Sequence, residues 1–104
     1  MDYNLLVTPK AEELFDQIVY HLIFRLKNKQ AAAHLFRSIG IIYDRLEANP
    51  FQFPKAKDVN LFRLGYREAV LPDMGYVVIF RIEGTFVYIV GIFHQLEDYS
   101  EKVE

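Results

Sequence analysis

The stretch from Gly75 to His94 constrains this chain most. It reads Gly-Tyr-Val-Val-Ile-Phe-Arg-Ile-Glu-Gly-Thr-Phe-Val-Tyr-Ile-Val-Gly-Ile-Phe-His. Two runs of β-branched and aromatic residues flank Glu83-Gly84. Such side chains suit a pleated, half-buried surface, and Gly84 can take the positive φ of a tight turn. The stretch predicts a β-hairpin with Glu83-Gly84 as its two-residue loop. That loop pairs Ile82 with Thr85, Phe80 with Val87, Val78 with Ile89 and Tyr76 with Gly91. One face then carries Tyr76, Val78, Phe80, Ile82, Val87, Ile89 and Phe93. The other carries Val77, Ile79, Arg81, Phe86, Tyr88, Val90, Ile92 and His94. A solvated sheet face is more polar than either of these, so both faces need cover.

The cover for one face comes from upstream. Thr8-Pro9 is a helix start: Thr caps well, and Pro at the first helical position loses no needed hydrogen bond. Glu12 and Glu13 suit the positive end of the helix dipole. Ala11, Leu14, Phe15, Ile18, Leu22 and Leu26 recur at helical spacing, with Val19 and Ile23 widening the stripe, to about Lys27. Asn28 caps a second helix from Lys29 to about Glu47. Its stripe is Ala32, Leu35, Phe36, Ile39, Ile42, Tyr43 and Leu46, with Gly40 inside it as a close contact or a weak point. The short connection makes the two helices an αα-hairpin. Tyr3 to Val7 is a short strand, Asn49-Pro50 ends the second helix, and Phe51 to Asn60 is a loop. Leu61 to Leu71 reads as a strand, and Pro72 to Gly75 as a turn. The acidic tail from Gln95 ends the sheet in a short irregular or helical piece. The order is β-α-α-β-β-β: an α+β domain over residues 1–104, with a small curved antiparallel sheet and an N-terminal αα-hairpin on one face. One helical hairpin covers one face only. The second face is then covered by another part of this chain or by a partner, as a groove or a partner-binding surface, with Val77, Ile79, Arg81, Phe86, Tyr88, Val90 and Ile92 as the candidate partner-binding residues.

Composition narrows the class. Hydrophobic residues make up 52% of the chain, which requires a packed fold. There is no cysteine, so a disulfide framework and a thiolate zinc site are excluded. His21, His34 and His94 lie at no metal-ligand spacing, and no glycine-rich phosphate loop occurs, so neither metal nor cofactor is expected. No signal peptide or membrane-spanning run is visible, which makes the cytoplasm the default compartment. The net charge of −2 argues against general nucleic-acid binding.

Several motifs occur in a fixed order: Thr8-Pro9-Lys10-Ala11-Glu12, Leu46-Glu-Ala-Asn-Pro50, Leu64-Gly-Tyr-Arg67, Gly75-Tyr76-Val-Val-Ile-Phe80-Arg81 and Ile92-Phe-His94-Gln-Leu-Glu-Asp98-Tyr99. Together they resemble the RelE/ParE superfamily of toxins from type II toxin–antitoxin (plasmid stabilisation) modules, over nearly the whole chain. The resemblance implies a toxin neutralised by a cognate antitoxin that wraps a flexible segment across it. Such a segment would cover the apolar second face. RelE-like members cut messenger RNA on the ribosome, and that chemistry needs acids, bases and arginines. Arg67, Arg81 and His94 are the candidates here. The positions of two RelE arginines fall at Pro72 and at the His94-Gln95 step. ParE-like members inhibit DNA gyrase without a catalytic constellation, and the long helical hairpin and the His94-to-Tyr99 ending resemble them more. A degenerate, non-toxic binding module is a third alternative, and the free chain could form a homodimer. Each candidate residue also has a plainer role. Arg67 and Arg81 could pair with Glu68 and Glu83, His94 could hold a strand end, and Lys55 and Lys57 could be a solvated loop.

Overall fold

A computed structural model describes residues 2–103. Four strands, β1 (Asn4–Val7), β2 (Arg67–Val70), β3 (Tyr76–Glu83) and β4 (Phe86–His94), form one sheet in the order β1-β4-β3-β2. The β3–β4 and β2–β3 pairs are antiparallel. β1 instead lies parallel to β4, so the sheet is mixed rather than wholly antiparallel.

The helical hairpin follows the sequence signals. α1 (Pro9–Tyr20) starts at Thr8, whose hydroxyl accepts the Ala11 N–H at 3.2 Å. It runs on as a π-helical turn, His21–Arg25. Lys27, at φ 51°, breaks the chain out of the helix. Asn28 accepts the Ala31 N–H at 2.9 Å and caps α2 (Lys29–Ala48). Asn49 turns the chain into a 3₁₀ turn at Pro50–Gln52. Both helices lie on one face of the sheet, α1 over β4. Leu35, Leu46, Val78, Phe80, Val87 and Ile89 are fully buried between the layers. Each large apolar side chain buried this way contributes roughly 1.5–3 kcal/mol. Leu26 and Phe36, expected in the buried stripes, are exposed instead. Leu26 caps the π turn where the chain passes from one helix to the next.

The hairpin register differs from the expected one. Glu83 faces Phe86 and Ile82 faces Val87, so the loop is Gly84-Thr85. Gly84, at φ 59°, takes the first loop position rather than the second. The slip is two residues, so it leaves the faces unchanged near the turn. A β-bulge does change them. Phe80 faces Ile89 but Ile79 faces Gly91, leaving Val90 as an extra residue in β4. Beyond it the alternation of β4 inverts. Ile92 turns to the helix side with Val78, and Phe93 turns to the opposite face with Val77.

The segment expected as one long strand from Leu61 to Leu71 is a short helix followed by β2. In α3 (Val59–Arg63), Asp58 accepts the Leu61 N–H at 3.0 Å. Gly65, at φ 87°, ends it, with Tyr66 N–H donating to the Leu61 carbonyl and Gly65 N–H to that of Phe62. This is a Schellman closure, which a glycine in the left-handed region permits.

Candidate partner-binding face

The sheet face away from α1 and α2 divides into a closed half and an open half. The closed half is built by the chain itself. Ala56, Leu61 and Tyr66 pack over Val77, Ile79, Val90 and Phe93, with Tyr99 and Val103 against them. The Tyr99 ring stacks on Phe93 at 5.0 Å and 6°. Two backbone bonds tie the loop down beside β2, from Ala56 N–H to the Tyr66 carbonyl at 3.0 Å and from Glu68 N–H to the Pro54 carbonyl at 3.1 Å. The buried Glu68 carboxylate accepts the Lys57 N–H at 2.9 Å, with the Lys57 ammonium 4.0 Å away. This satisfies a charge that would otherwise be costly to bury.

The open half surrounds the hairpin turn. Leu6 of β1 lies opposite Tyr88, which lies opposite Arg81. Phe86 lies beside them, its ring 6.2 Å from that of Tyr88. The Arg81 guanidinium sits 4.1 Å over the Tyr88 ring and is ion-paired with Glu83. Leu6 and Phe86 are 43% and 41% exposed. This is an aromatic strip with one oriented cation, held over Tyr88 and paired with Glu83.

Of the residues expected on this surface, Arg81, Phe86 and Tyr88 stand together on it. Val77, Ile79 and Val90 share the face but lie beneath the chain's own cover. Ile92 is buried on the helix side, because the bulge turns it over. Glu83 joins the strip through the ion pair with Arg81 that the sequence suggests, whereas Leu6 is an addition that the sequence reading lacks. The alternation of Leu5 and Val7 with Leu6 was the available signal. A second opening, about 300 Å³, lies between the helices and β1, lined by Val7, Phe15, Phe36, Ile39 and Tyr43 together with Glu12 and Asp16.

The nuclease candidates are not brought together. Arg67 faces the helix side, opposite Phe80, and donates to the Phe53 carbonyl at 2.7 Å. Its guanidinium lies 5.1 Å from the Phe51 ring. Arg81 points from the other face. His94 ends β4, opposite Tyr76 at the start of β3, with the rings edge-on at 5.7 Å. Its Nδ1 accepts the Leu96 N–H at 3.2 Å, and its own backbone N–H donates to Glu97 at 2.9 Å. Partial burial pushes the Glu97 carboxyl upward. The bonds from Lys102 and the His94 backbone outweigh that and hold it below its ordinary value. The Tyr99 phenol is raised, first by burial and then by the nearby Glu68 and Asp58 charges. The His94-to-Tyr99 ending is therefore a clasp that closes the sheet. Among the described residues, no cluster of His, Asp and Glu could hold a metal ion. Nor is any helix there long and apolar enough to cross a membrane.

The model of the family described as "ParE toxin of type II toxin-antitoxin system, parDE" matches residues 5–99. A solved structure, "Chromosomal ParDE TA system from P. aeruginosa", superposes with a TM-score of 0.71 at 21% identity. The match covers 88% of this chain and 95% of that one. At that identity the likeness establishes the fold. No curated protein matches this chain.

Proposed function

Since the chain belongs to the ParE toxin family of type II toxin–antitoxin systems, we propose that it is a gyrase-directed toxin held inactive by a cognate antitoxin. The whole of residues 1–104 acts as one cytoplasmic domain in this reading. The antitoxin lays a flexible segment across the open strip, with apolar side chains against Leu6, Phe86 and Tyr88 and a carboxylate at Arg81. A segment that folds as it binds suits such a strip, because it can follow the edge of the chain's own cover.

The observation that carries the choice of target is the separation of Arg67, Arg81 and His94. Phosphodiester cleavage needs its acid, base and cation within hydrogen-bond reach of one phosphate. Arg67 and Arg81 lie on opposite faces, and His94 is four β3 positions from the Phe80 level, on the order of 13 Å along the sheet. Inhibition by binding requires no such convergence.

Induced expression tests the reading, followed by growth, total RNA integrity and gyrase supercoiling with purified protein. Growth arrest with intact RNA and blocked supercoiling is the expected result. Fragmented messenger RNA, abolished by Arg67→Ala, would shift the assignment to a ribosome-dependent nuclease. Normal growth at verified expression would leave a binding module without a poison's target.

A further inference from the structure

The outer face of α1, remote from the open strip, carries an unusual charge order. No acidic residue occurs between Asp16 and Asp44, whereas Arg25, Lys27, Lys29 and Arg37 all fall there. Glu12, Glu13 and Asp16 occupy the start of the helix. An open groove of about 650 Å³ runs along this face, with Glu13 and Asp16 toward one end, Tyr20 and His21 between, and Arg25 at the other. Tyr20 and Phe24 are 59% and 61% exposed, their rings 4.9 Å apart. The face is thus anionic at one end and cationic at the other, with Tyr20 toward the middle and Phe24 beside Arg25.

We propose that this face pairs with itself, joining two copies of the chain through an antiparallel α1–α1 contact. Glu13 and Arg25 stand equally far on either side of Val19. A two-fold axis through the outer face at the level of Val19 therefore sets Glu13 of each copy across from the partner subunit's Arg25, twice over. Tyr20, one residue from the axis, meets its counterpart there. A nucleic acid or an acidic peptide fits this groove poorly. Any polyanion that engaged Arg25 and ran along the helix would meet Glu12, Glu13 and Asp16. Only an occupant with the reversed charge order satisfies both ends, and a second copy supplies it. The contact is one helix wide, below the roughly 1,200 Å² of a standard interface, so the dimer is weak and concentration-dependent. Its charge pairs are exposed, so it weakens with salt.

Analytical ultracentrifugation of the full chain, free of antitoxin, tests this. The wild type is expected to show a monomer–dimer equilibrium that shifts toward monomer between about 0.05 M and about 0.5 M salt. Glu13→Arg and Arg25→Glu each set like charges across the axis, and each is expected to raise the dissociation constant at least about tenfold. An equimolar mixture of the two variants restores the dimer. One copy then presents arginine at both positions and the other glutamate, so both pairs are of opposite charge. This rescue also shows that each variant is folded. A wild type that is monomeric at every concentration would overturn the proposal. So would dimers indifferent to both substitutions, a mixture that stays monomeric, or binding of duplex DNA through Arg25 by a monomeric wild type.

Discussion

Gly91 shows how much one missing side chain can determine. A β-carbon there would lie 2.4 Å from the Phe93 ring, which folds back over the glycine. The ring cannot step aside, since Phe93 is buried and stacked on Tyr99. Gly91→Ala is expected to cost about 1–3 kcal/mol, the usual range for overpacking a core. Urea denaturation measures it, and an unchanged midpoint would show that the ring has room to move. The bulge beside Gly91 could not be read from the residues. Val90, Gly91, Ile92 and Phe93 are all apolar or small, so nothing polar marks the point where the alternation inverts. That is why Ile92 and Phe93 exchange faces relative to the regular pattern, and why His94 joins Tyr76 on the helix side. Arg81 and Tyr88 lie on the turn side of the bulge, so their placement was legible.

Among the elements, the helical hairpin was the most legible. Thr8, Asn28 and Asn49 each cap in the structure as their sequence contexts imply. Gly40 had two readings, and the structure selects one: a β-carbon there meets nothing within 4 Å. Gly40→Ala should therefore stabilise the domain by about 1 kcal/mol through helix propensity alone. Thermal melting would register the gain, and a lowered melting temperature would mean that the glycine's flexibility is used. α3 was the least legible element. Leu61-Phe62-Arg63-Leu64 fits a short strand as well as a single helical turn, because apolar runs this brief carry no decisive period. The deciding signals were local, an Asp58 cap and a Gly65 stop. Their consequence reaches further, since α3 carries Leu61 onto the face that would otherwise have stood open.

At the scale of the whole molecule, the two sides of the sheet are covered unequally. Two long helices bury one side, and a loop, a single helical turn and the tail bury part of the other. The thin cover should open before the sheet does. In native-state hydrogen exchange, the amides of Ala56 and Glu68 are expected to exchange through a local opening. Those within the β3–β4 pairing are expected to exchange at or near the free energy of global unfolding. A single exchange free energy for both sets would show that cover and sheet form one cooperative unit. The pairing of β1 with β4 has a different consequence, one of timing. Of the four strands described, the one made earliest completes its place only beside the one made latest, because Asn4 to Val7 bond along Phe86 to Ile89. As the chain leaves the ribosome, the helical hairpin can coil early, but its apolar side has no sheet to rest on until β4 emerges. A chain cut short before Phe86 lacks the strand that β1 and β3 both flank. Premature termination should therefore leave a fragment that forms no complete sheet at all, rather than a weakened copy of the whole domain.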